Sequence, residues 1–536
     1  MRSYLLSRCS HHASRLHPEE HTIYALSTAP GKAAIAVIRA SGPACRQIYE
    51  RLCPSTCLPR PRHATLRKLY SPHQPPSPST LLDSGALVLY LPAPNTVTGE
   101  DVLEFHVHGG PAIVRAVLAA ISQCNVGSDG DSVSCTHHVR YAEPGEFTRR
   151  AFANNRMDLP QIESLGETLS ASTEQQRKLS VRGTTSSLAV RYEQWRELLL
   201  AARGELEALI DFSEDQHFDE SPVELCASVA QQVRSLRNLI EAHVANAVRG
   251  ELLRNGISVA LLGAPNAGKS SLLNRIIGRD AAIVSHEAGT TRDVVEVGVD
   301  LGGWLVKIGD MAGLRRAGLI AAGAVGTIEQ EGIKRAKQRA LESDVLVVVQ
   351  DATTEMDPEV METAKQCVDL GINVVVAVNK IDQVGQVSAL QDTWSARLKA
   401  DLGIESDRVA LISCTSTDPS HIDALLSTLL DTFKSMTAAL VPDSDPDPGL
   451  WQESLGATER QRLLLSECLG SLAMFLTAVD RPHTHASEYP NLATDEEVDI
   501  VVAAESLRSA ADALARITGR GDGGDVEEVL GVVFEK

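Results

Sequence analysis

The nine residues Gly263-Ala-Pro-Asn-Ala-Gly-Lys-Ser-Ser271 have the types and spacing that most directly imply chemistry. Glycines 263 and 268 let backbone N–H groups close around phosphate oxygens, Lys269 adds a positive charge for the β- and γ-phosphates, and Ser270 offers a hydroxyl to Mg²⁺. With Asn266, Ala267 and Ser271 they form the expected phosphate-binding set. Downstream, Asn379, Lys380 and Asp382 follow an apolar run. An aspartate there can accept both N1–H and the exocyclic amine of guanine, a donor pair adenine lacks, so with Ser413 after the next apolar run the nucleotide is read as GTP rather than ATP. Asp310 and Gly313 supply a D-x-x-G turn, Asp310 organising Mg²⁺ and the Gly313 amide lying near the γ-phosphate. Gly289, Thr290 and Thr291 form the remaining switch, with Thr291 as a second Mg²⁺ ligand. Leu314 stands where Ras-type GTPases carry a water-orienting glutamine, so catalytic help must come from elsewhere. Arg315 and Arg316 lie close by and are read as surface charge.

These residues need a strand, a loop and a helix in that order. Ile257 to Leu262 reads as a strand, and Leu272, Leu273, Ile276 and Ile277 recur at helical spacing. Further apolar β-runs at 304–308, 345–349, 374–378 and 409–412, separated by helix-length segments, predict a mostly parallel, doubly wound sheet over 251–433. In such sheets ligands bind at the C-terminal ends of the strands, where Asn379, Lys380 and Asp382 stand. Helical spacing dominates 157–250, with Asp158 as a cap and Pro160 in the first turn, and returns from Trp451 to Ala478 and from Asp495 to Ile517. The expected architecture is a helical domain in two halves, 157–250 and 434–536, with a nucleotide-binding domain inserted between them. Residues 21–156 read as a mixed α+β domain, with strands near 33–38, 85–91 and 102–107, a helix at 112–121 and a proline and serine loop at 71–79. His106 and His108 would share one face of a strand and are read as structural or substrate-facing rather than metal-binding.

Net charge −20, from 50 basic and 70 acidic residues, argues against broad electrostatic capture of nucleic acid by this chain alone. Ten scattered cysteines without Cys-x-x-Cys spacing suggest a reducing compartment. The acidic cluster 213–220 is read as a solvated loop between helices. The first eighteen residues carry Arg2, Arg8 and Arg15 and no acidic residue, so 1–20 is expected to be a mitochondrial targeting segment. No apolar run is read as long enough to span a membrane, and the mature protein is expected to be soluble.

Together with the phosphate loop and Gly289-Thr-Thr-Arg-Asp293, three N-terminal runs carry a resemblance: Thr28 to Gly42, Thr98 to Pro111 and Pro144 to Phe152. The chain resembles the MnmE/TrmE family of tRNA-modifying GTPases over nearly its whole length. The resemblance implies an α+β folate-binding domain that also makes a homodimer, a discontinuous α-helical domain, and an inserted Ras-like α/β P-loop domain. It implies a tetrahydrofolate, 5-formyl- or methylene-, contacted by Arg39, Glu104 and Arg156; the family usually has lysine at the last position. It further implies a flavin-dependent partner of the MnmG/GidA type, with which an aminomethyl-type group is installed at carbon 5 of the wobble uridine of tRNA. In the family, K⁺ stands where an arginine finger would, held by residues matching Asn266, Ser285, Glu287 and Thr290, and Glu329 matches the glutamate that activates water. Met311 and Glu287 depart from the usual residues without removing a function. The family's terminal Phe-Cys-x-Gly-Lys is not matched at Val532 to Lys536, and the expectation is GTP hydrolysis with the modification performed poorly or not at all. The alternative is a GTP-dependent assembly switch of the Era or EngA kind, or a nucleotide-gated dimerisation module, without covalent tRNA chemistry.

Overall fold

A computed structural model of the chain describes residues 21–124, 138–184, 187–212, 222–279, 281–286, 297–308, 336–384, 387–416, 418, 420–443, 445, 447–480 and 500–519. They form two compact units, one within residues 1–162 and the other within 163–522. The expected leader, the acidic cluster 213–220 and the C-terminal segment lie outside the described residues.

The first unit is built on a six-stranded sheet in the order β3-β4-β5-β2-β1-β6. Its strands are β1 (His21–Leu26), β2 (Ile35–Ser41), β3 (Thr65–Tyr70), β4 (Leu81–Leu91), β5 (Val102–His108) and β6 (His138–Tyr141). All neighbours pair antiparallel except β1 with β6. Alternation along β5 sends Leu103, Phe105 and Val107 into the core and Glu104, His106 and His108 to the opposite face. Helices α1 (Cys45–Leu52) and α2 (Pro111–Ser122) cover the buried face, where Ile48, Tyr49, Val117 and Ile121 meet Ile38, Val88 and Phe105. Pro111 opens α2, where its missing N–H costs no helical hydrogen bond. Helix α3 (Glu146–Ala153) follows β6.

In the second unit, β7 (Ile257–Leu262), β8 (Ala281–His286), β9 (Val297–Leu301), β10 (Trp304–Ile308), β11 (Val345–Asp351), β12 (Asn373–Asn379) and β13 (Val409–Leu411) form a sheet in the order β13-β12-β11-β7-β10-β9-β8. The run from β13 to β10 is parallel, and β9 and β8 add antiparallel strands at one edge. Strands β11 and β12 are apolar along nearly their whole length because helices cover both faces, giving one cluster around Val347 and Phe433 and another around Val348 and Leu398. Helix α8 (Lys269–Arg279) follows β7 directly; α9 (Pro358–Asp369), α10 (Val387–Leu402) and α11 (Ser420–Met436) complete the layers.

Around this sheet in chain order lie α4 (Leu159–Ser170), α5 (Glu174–Gly183), α6 (Ser187–Phe212) and α7 (Pro222–Asn255) before it, and α12 (Pro448–Ser454), α13 (Glu459–Val479) and α14 (Ile500–Thr518) after it. Helices α6 and α7 pack with α13 and α14 around Tyr192, Leu206, Val233, Leu472, Phe475, Leu507 and Leu514. The α+β sheet of the first unit, this bundle and the α/β sheet set between its two halves agree with the fold class read from the sequence. Asp158 does cap α4: its carboxylate accepts from Gln161 N at 2.8 Å while Gln161 reciprocates at 3.0 Å.

One expectation needs correction. Helix α13 is long and apolar enough, by length and composition alone, to cross a membrane. Its Leu464, Leu465, Cys468, Leu472 and Phe475 are buried in the bundle, so its apolar character serves a protein core.

Candidate functional site

Strand β7 runs straight into the glycine loop, and the loop into α8. Asn266 adopts φ +62° and Gly268 φ +103°, left-handed positions of the kind that shape anion-binding concavities of backbone N–H groups. A Cβ on Gly263 would stand 2.2 Å from the Val349 carbonyl, and one on Gly268 2.2 Å from Asn379 Nδ2. Gly263 therefore requires glycine for space, because the obstruction is backbone, and Gly268 requires it for its left-handed conformation. Lys269 Nζ curls back over the loop and donates to the carbonyls of Gly263 (2.7 Å) and Ala264 (2.9 Å). Burial pushes this ammonium below its ordinary pKa. A cation already desolvated at a cradle of backbone groups suits phosphate binding. Ser270 and Ser271, in the first turn of α8, are exposed, with the Ser270 hydroxyl available to a metal ion.

The second half of the site is assembled by the ends of β11, β12 and β13. Asn379 ends β12 and is buried. Its Nδ2 donates to the Ala267 carbonyl (2.8 Å) and its Oδ1 accepts from Cys414 N (3.2 Å), tying the phosphate loop to the loop after β13. Ser413 donates its hydroxyl to Asp382 Oδ1 (2.6 Å), and Thr415 donates to Oδ2 (3.3 Å). The Ser413 bond is the main reason the Asp382 carboxyl is held below its usual value. Each carboxylate oxygen keeps a lone pair, so an exposed, oriented anion remains to accept two further hydrogens. Lys380, at φ +66°, pairs with Asp351 Oδ2 at 2.5 Å. On α8, Arg275 donates to the Ser416 carbonyl, joining the helix of the phosphate loop to the base loop.

The structure thus brings Ala267, Gly268, Asn379, Asp382 and Ser413 into one connected set, with Lys269 on the loop beside it. Ser285 lies on β8, of which only the backbone is described. Glu287, Thr290, Thr291, Asp310, Gly313 and Glu329 lie outside the described residues. Asp351, Thr415 and Arg275 were not singled out from the sequence. Asp351 was within reach, since it too ends a parallel strand, in register with Asn379.

In the first unit, Arg39 on β2 and Glu104 on β5 face each other in register and pair at 2.8 Å. His106 stands 3.5 Å from the second oxygen of Glu104. Arg156 is held separately, donating from Nε to the Thr96 carbonyl (3.0 Å). His108 donates its backbone N–H to the buried carboxylate of Asp83 (2.8 Å) and pairs with it through Nδ1 (2.9 Å), a structural tie of the kind the sequence suggested. Among the described residues no group of three or more His, Cys, Asp or Glu side chains is placed to hold a metal ion. The three N-terminal motifs meet in a buried network. Arg150 donates to Glu100 (2.9 Å) and the His21 carbonyl (2.8 Å), and Ser41 bonds both Thr98 (2.7 Å) and Glu100 (2.8 Å). The network ties the start of β1, the end of β2 and the loop before β5 to α3.

Comparison with known proteins gives a consistent result. Residues 22–156 match the family model described as GTP-binding protein TrmE N-terminus, and 159–536 match the MnmE helical domain. The mitochondrial tRNA modification GTPase mss1 of Schizosaccharomyces pombe is 36% identical over 521 residues, covering 96% of this chain and 94% of the relative. The tRNA modification GTPase MnmE of Parvibaculum lavamentivorans is 38% identical over 513 residues, covering 96% and 98%. Among solved structures, Aquifex aeolicus Era bound to GDP and AlF4⁻ aligns at 22% identity and a TM-score of 0.24, covering 41% of this chain and 66% of that one.

Proposed function

The chain belongs to the MnmE/TrmE family of tRNA modification GTPases, and from that premise we propose that it hydrolyses GTP as the nucleotide-driven half of a mitochondrial complex modifying carbon 5 of the wobble uridine of tRNA. The observation that carries the nucleotide half is the connection of Asp382, Ser413, Asn379 and Ala267 by hydrogen bonds, which sets a guanine-reading carboxylate and a phosphate loop at a fixed separation. Lys269, released from its own carbonyls, would follow the β- and γ-phosphates. Ser270 and Thr291 would hold Mg²⁺, which supplies charge neutralisation at the phosphate oxygens. Asp310 and the Gly313 amide would serve the γ-phosphate.

Leu314 has no group to orient water, so Glu329 is proposed as the activating carboxylate. Asn266, with its left-handed backbone and exposed side chain, is suited to a monovalent cation, with Ser285, Glu287 and Thr290 as the other K⁺ ligands. A cation there offsets the charge that develops between β- and γ-phosphates, the task of an arginine finger. Hydrolysis is expected to run several-fold faster in KCl than in NaCl, and Glu329→Ala should lower kcat by about 10²-fold or more while GTP still binds. Equal rates in both salts would remove the cation from the mechanism.

For the one-carbon unit, the Arg39–Glu104 pair is proposed to read a tetrahydrofolate, 5-formyl- or methylene-. A pterin offers the same paired N–H donors as guanine, which a carboxylate such as Glu104 accepts, and Arg156 would meet an anionic group. The active form is proposed as a homodimer through the 21–156 domain, working with an MnmG/GidA-type flavoprotein that supplies most of the grip on tRNA, in keeping with net charge −20. The mitochondrion is supported by the S. pombe relative and by the basic, acid-free composition of residues 1–18. The domain bounds stay as read from the sequence: targeting segment 1–20, folate domain 21–156, helical halves 157–250 and 434–536, and GTPase 251–433. The deciding experiment is nucleoside mass spectrometry of mitochondrial tRNA from a deletion strain carrying wild type, Lys269→Ala or Glu104→Ala. Loss of the modification in the deletion strain and its restoration by wild type alone support the reading; modification that persists in the deletion strain points to an assembly switch instead.

A further inference from the structure

Asp351 has no part in the roles above, yet it is among the most completely anchored carboxylates of the site. It ends β11 directly across from Asn379 in the parallel register. Its Oδ2 accepts from Lys380 Nζ at 2.5 Å, while its Oδ1 accepts from Thr353 N (2.9 Å) and the Thr353 hydroxyl (2.7 Å). The turn it opens is braced by the buried Gln350, whose amide donates to the carbonyls of Asp351 (2.8 Å) and Thr354 (3.0 Å). Ala352 N donates to the Asn379 carbonyl (2.8 Å), so the turn is fastened to the strand that carries Lys380.

A lysine–carboxylate pair at a protein surface usually contributes little, because two long side chains must give up their freedom to meet. Here part of that cost is already met on the carboxylate side, and the lysine backbone is fixed. Asp351 is short and bonded at both oxygens, and Lys380 leaves its strand with φ +66°, a backbone conformation few residues with a Cβ adopt. The pair is also partly withdrawn from solvent, at 28% and 14% side-chain exposure. Asn379 and Asp382 on either side are pinned by Ala267, Cys414 and Ser413. Lys380 is the long, rotamer-rich side chain of this set, and Asp351 is the group that restricts it.

We propose that Asp351 is a positioning residue for the guanine nucleotide, holding Lys380 across the base end of the site so that its side chain is ordered before the nucleotide arrives. Ordering a side chain in advance removes an entropic cost from binding and slows dissociation. The inference rests on the reading that Asn379, Lys380 and Asp382 form the base site, and it goes beyond that reading by assigning a residue that touches no nucleotide.

Asp351→Asn is the informative variant, because the amide oxygen can still accept from Thr353 while the charge facing Lys380 is gone. In the full-length protein with Mg²⁺, fluorescent GDP should dissociate about tenfold faster and bind about tenfold more weakly, the loss expected of one charge-assisted hydrogen bond. The value of kcat at saturating GTP and the melting temperature should stay at wild-type levels, and Asp351→Glu should recover part of the affinity. In a Lys380→Ala background, Asp351→Asn should add nothing further. Unchanged GDP binding in Lys380→Ala would overturn the base-site assignment itself. Weakened binding in Lys380→Ala with a silent Asp351→Asn, or an equal Asp351→Asn effect with and without Lys380, would overturn the positioning role and leave Asp351 as a turn-forming residue.

Discussion

With Asp382 as the proposed base reader, discrimination between nucleotides comes down to which atoms it can still engage. Ser413 and Thr415 occupy one acceptor direction on each oxygen and orient the carboxylate, leaving it complementary to a base edge with two hydrogens. Xanthine replaces the exocyclic amine of guanine with an oxygen, which would face this anion unfavourably. Asp382→Asn turns one acceptor into a donor, so it should weaken GTP binding by about 10²-fold or more and improve xanthosine triphosphate binding, read by competition against fluorescent GDP. Retained preference for GTP would place the base elsewhere. Lys269 belongs to the same scale. Its ammonium is buried against carbonyls and loses affinity for its proton, so a neutral replacement leaves a loop without its cation. Lys269→Ala should abolish measurable GTP binding with little loss of melting temperature.

Elements explain why two glycines of one loop fail differently when changed. At Gly263 the obstructing atom is the carbonyl oxygen of Val349, part of a strand paired on both sides, with β7 and with β12. A backbone held by two ladders cannot retreat, so Gly263→Ala should destabilise the domain by about 1–3 kcal/mol, the usual cost of overpacking, seen as a lower denaturant midpoint. At Gly268 the obstruction is the side-chain Nδ2 of Asn379, which can rotate away. Gly268→Ala should therefore damage nucleotide affinity more than stability, by breaking the Asn379 to Ala267 link and by disfavouring φ +103°. Comparable effects of both changes on stability would contradict this division.

Over the whole molecule, each compact unit has its own apolar core, and that of the helical bundle encloses an ionisable residue. His243 on α7 is fully buried among Tyr192, Trp195 and Trp451, shares a 2.9 Å hydrogen bond with the Tyr192 hydroxyl, and lies close enough to Arg191 to feel its charge. Burial first, and Arg191 second, push its pKa down from 6.5 to about 3. Between those values the unfolded chain binds a proton that the folded chain refuses, so this residue's contribution is complete above pH 6.5 and declines as the pH falls toward 3. The slope is at most ~1.4 kcal/mol per pH unit, or about 2 kcal/mol between pH 6.5 and 5. His243→Gln should lose less stability than wild type on going from pH 7 to pH 5 in chemical denaturation; equal losses would show that His243 can be protonated in place. The sequence by itself determined the glycine loop, the parallel order around it and the placing at strand ends of the residues proposed to read guanine, because each depends on neighbours within one strand–loop–helix step and strand ends must converge in such a sheet. It was less informative where polar residues interrupt the pattern, as in the arginine- and lysine-bearing β3. It also merged α12 and α13 into one helix, although Thr458 caps a second start by accepting from Gln461 N. Only the tertiary structure decided the pairing of Lys380 with Asp351, the link from Asn379 to Ala267, and the joining of α6 and α7 to α13 and α14, since these contacts lie 29, 112 and more than two hundred residues apart in the chain and no local spacing encodes them.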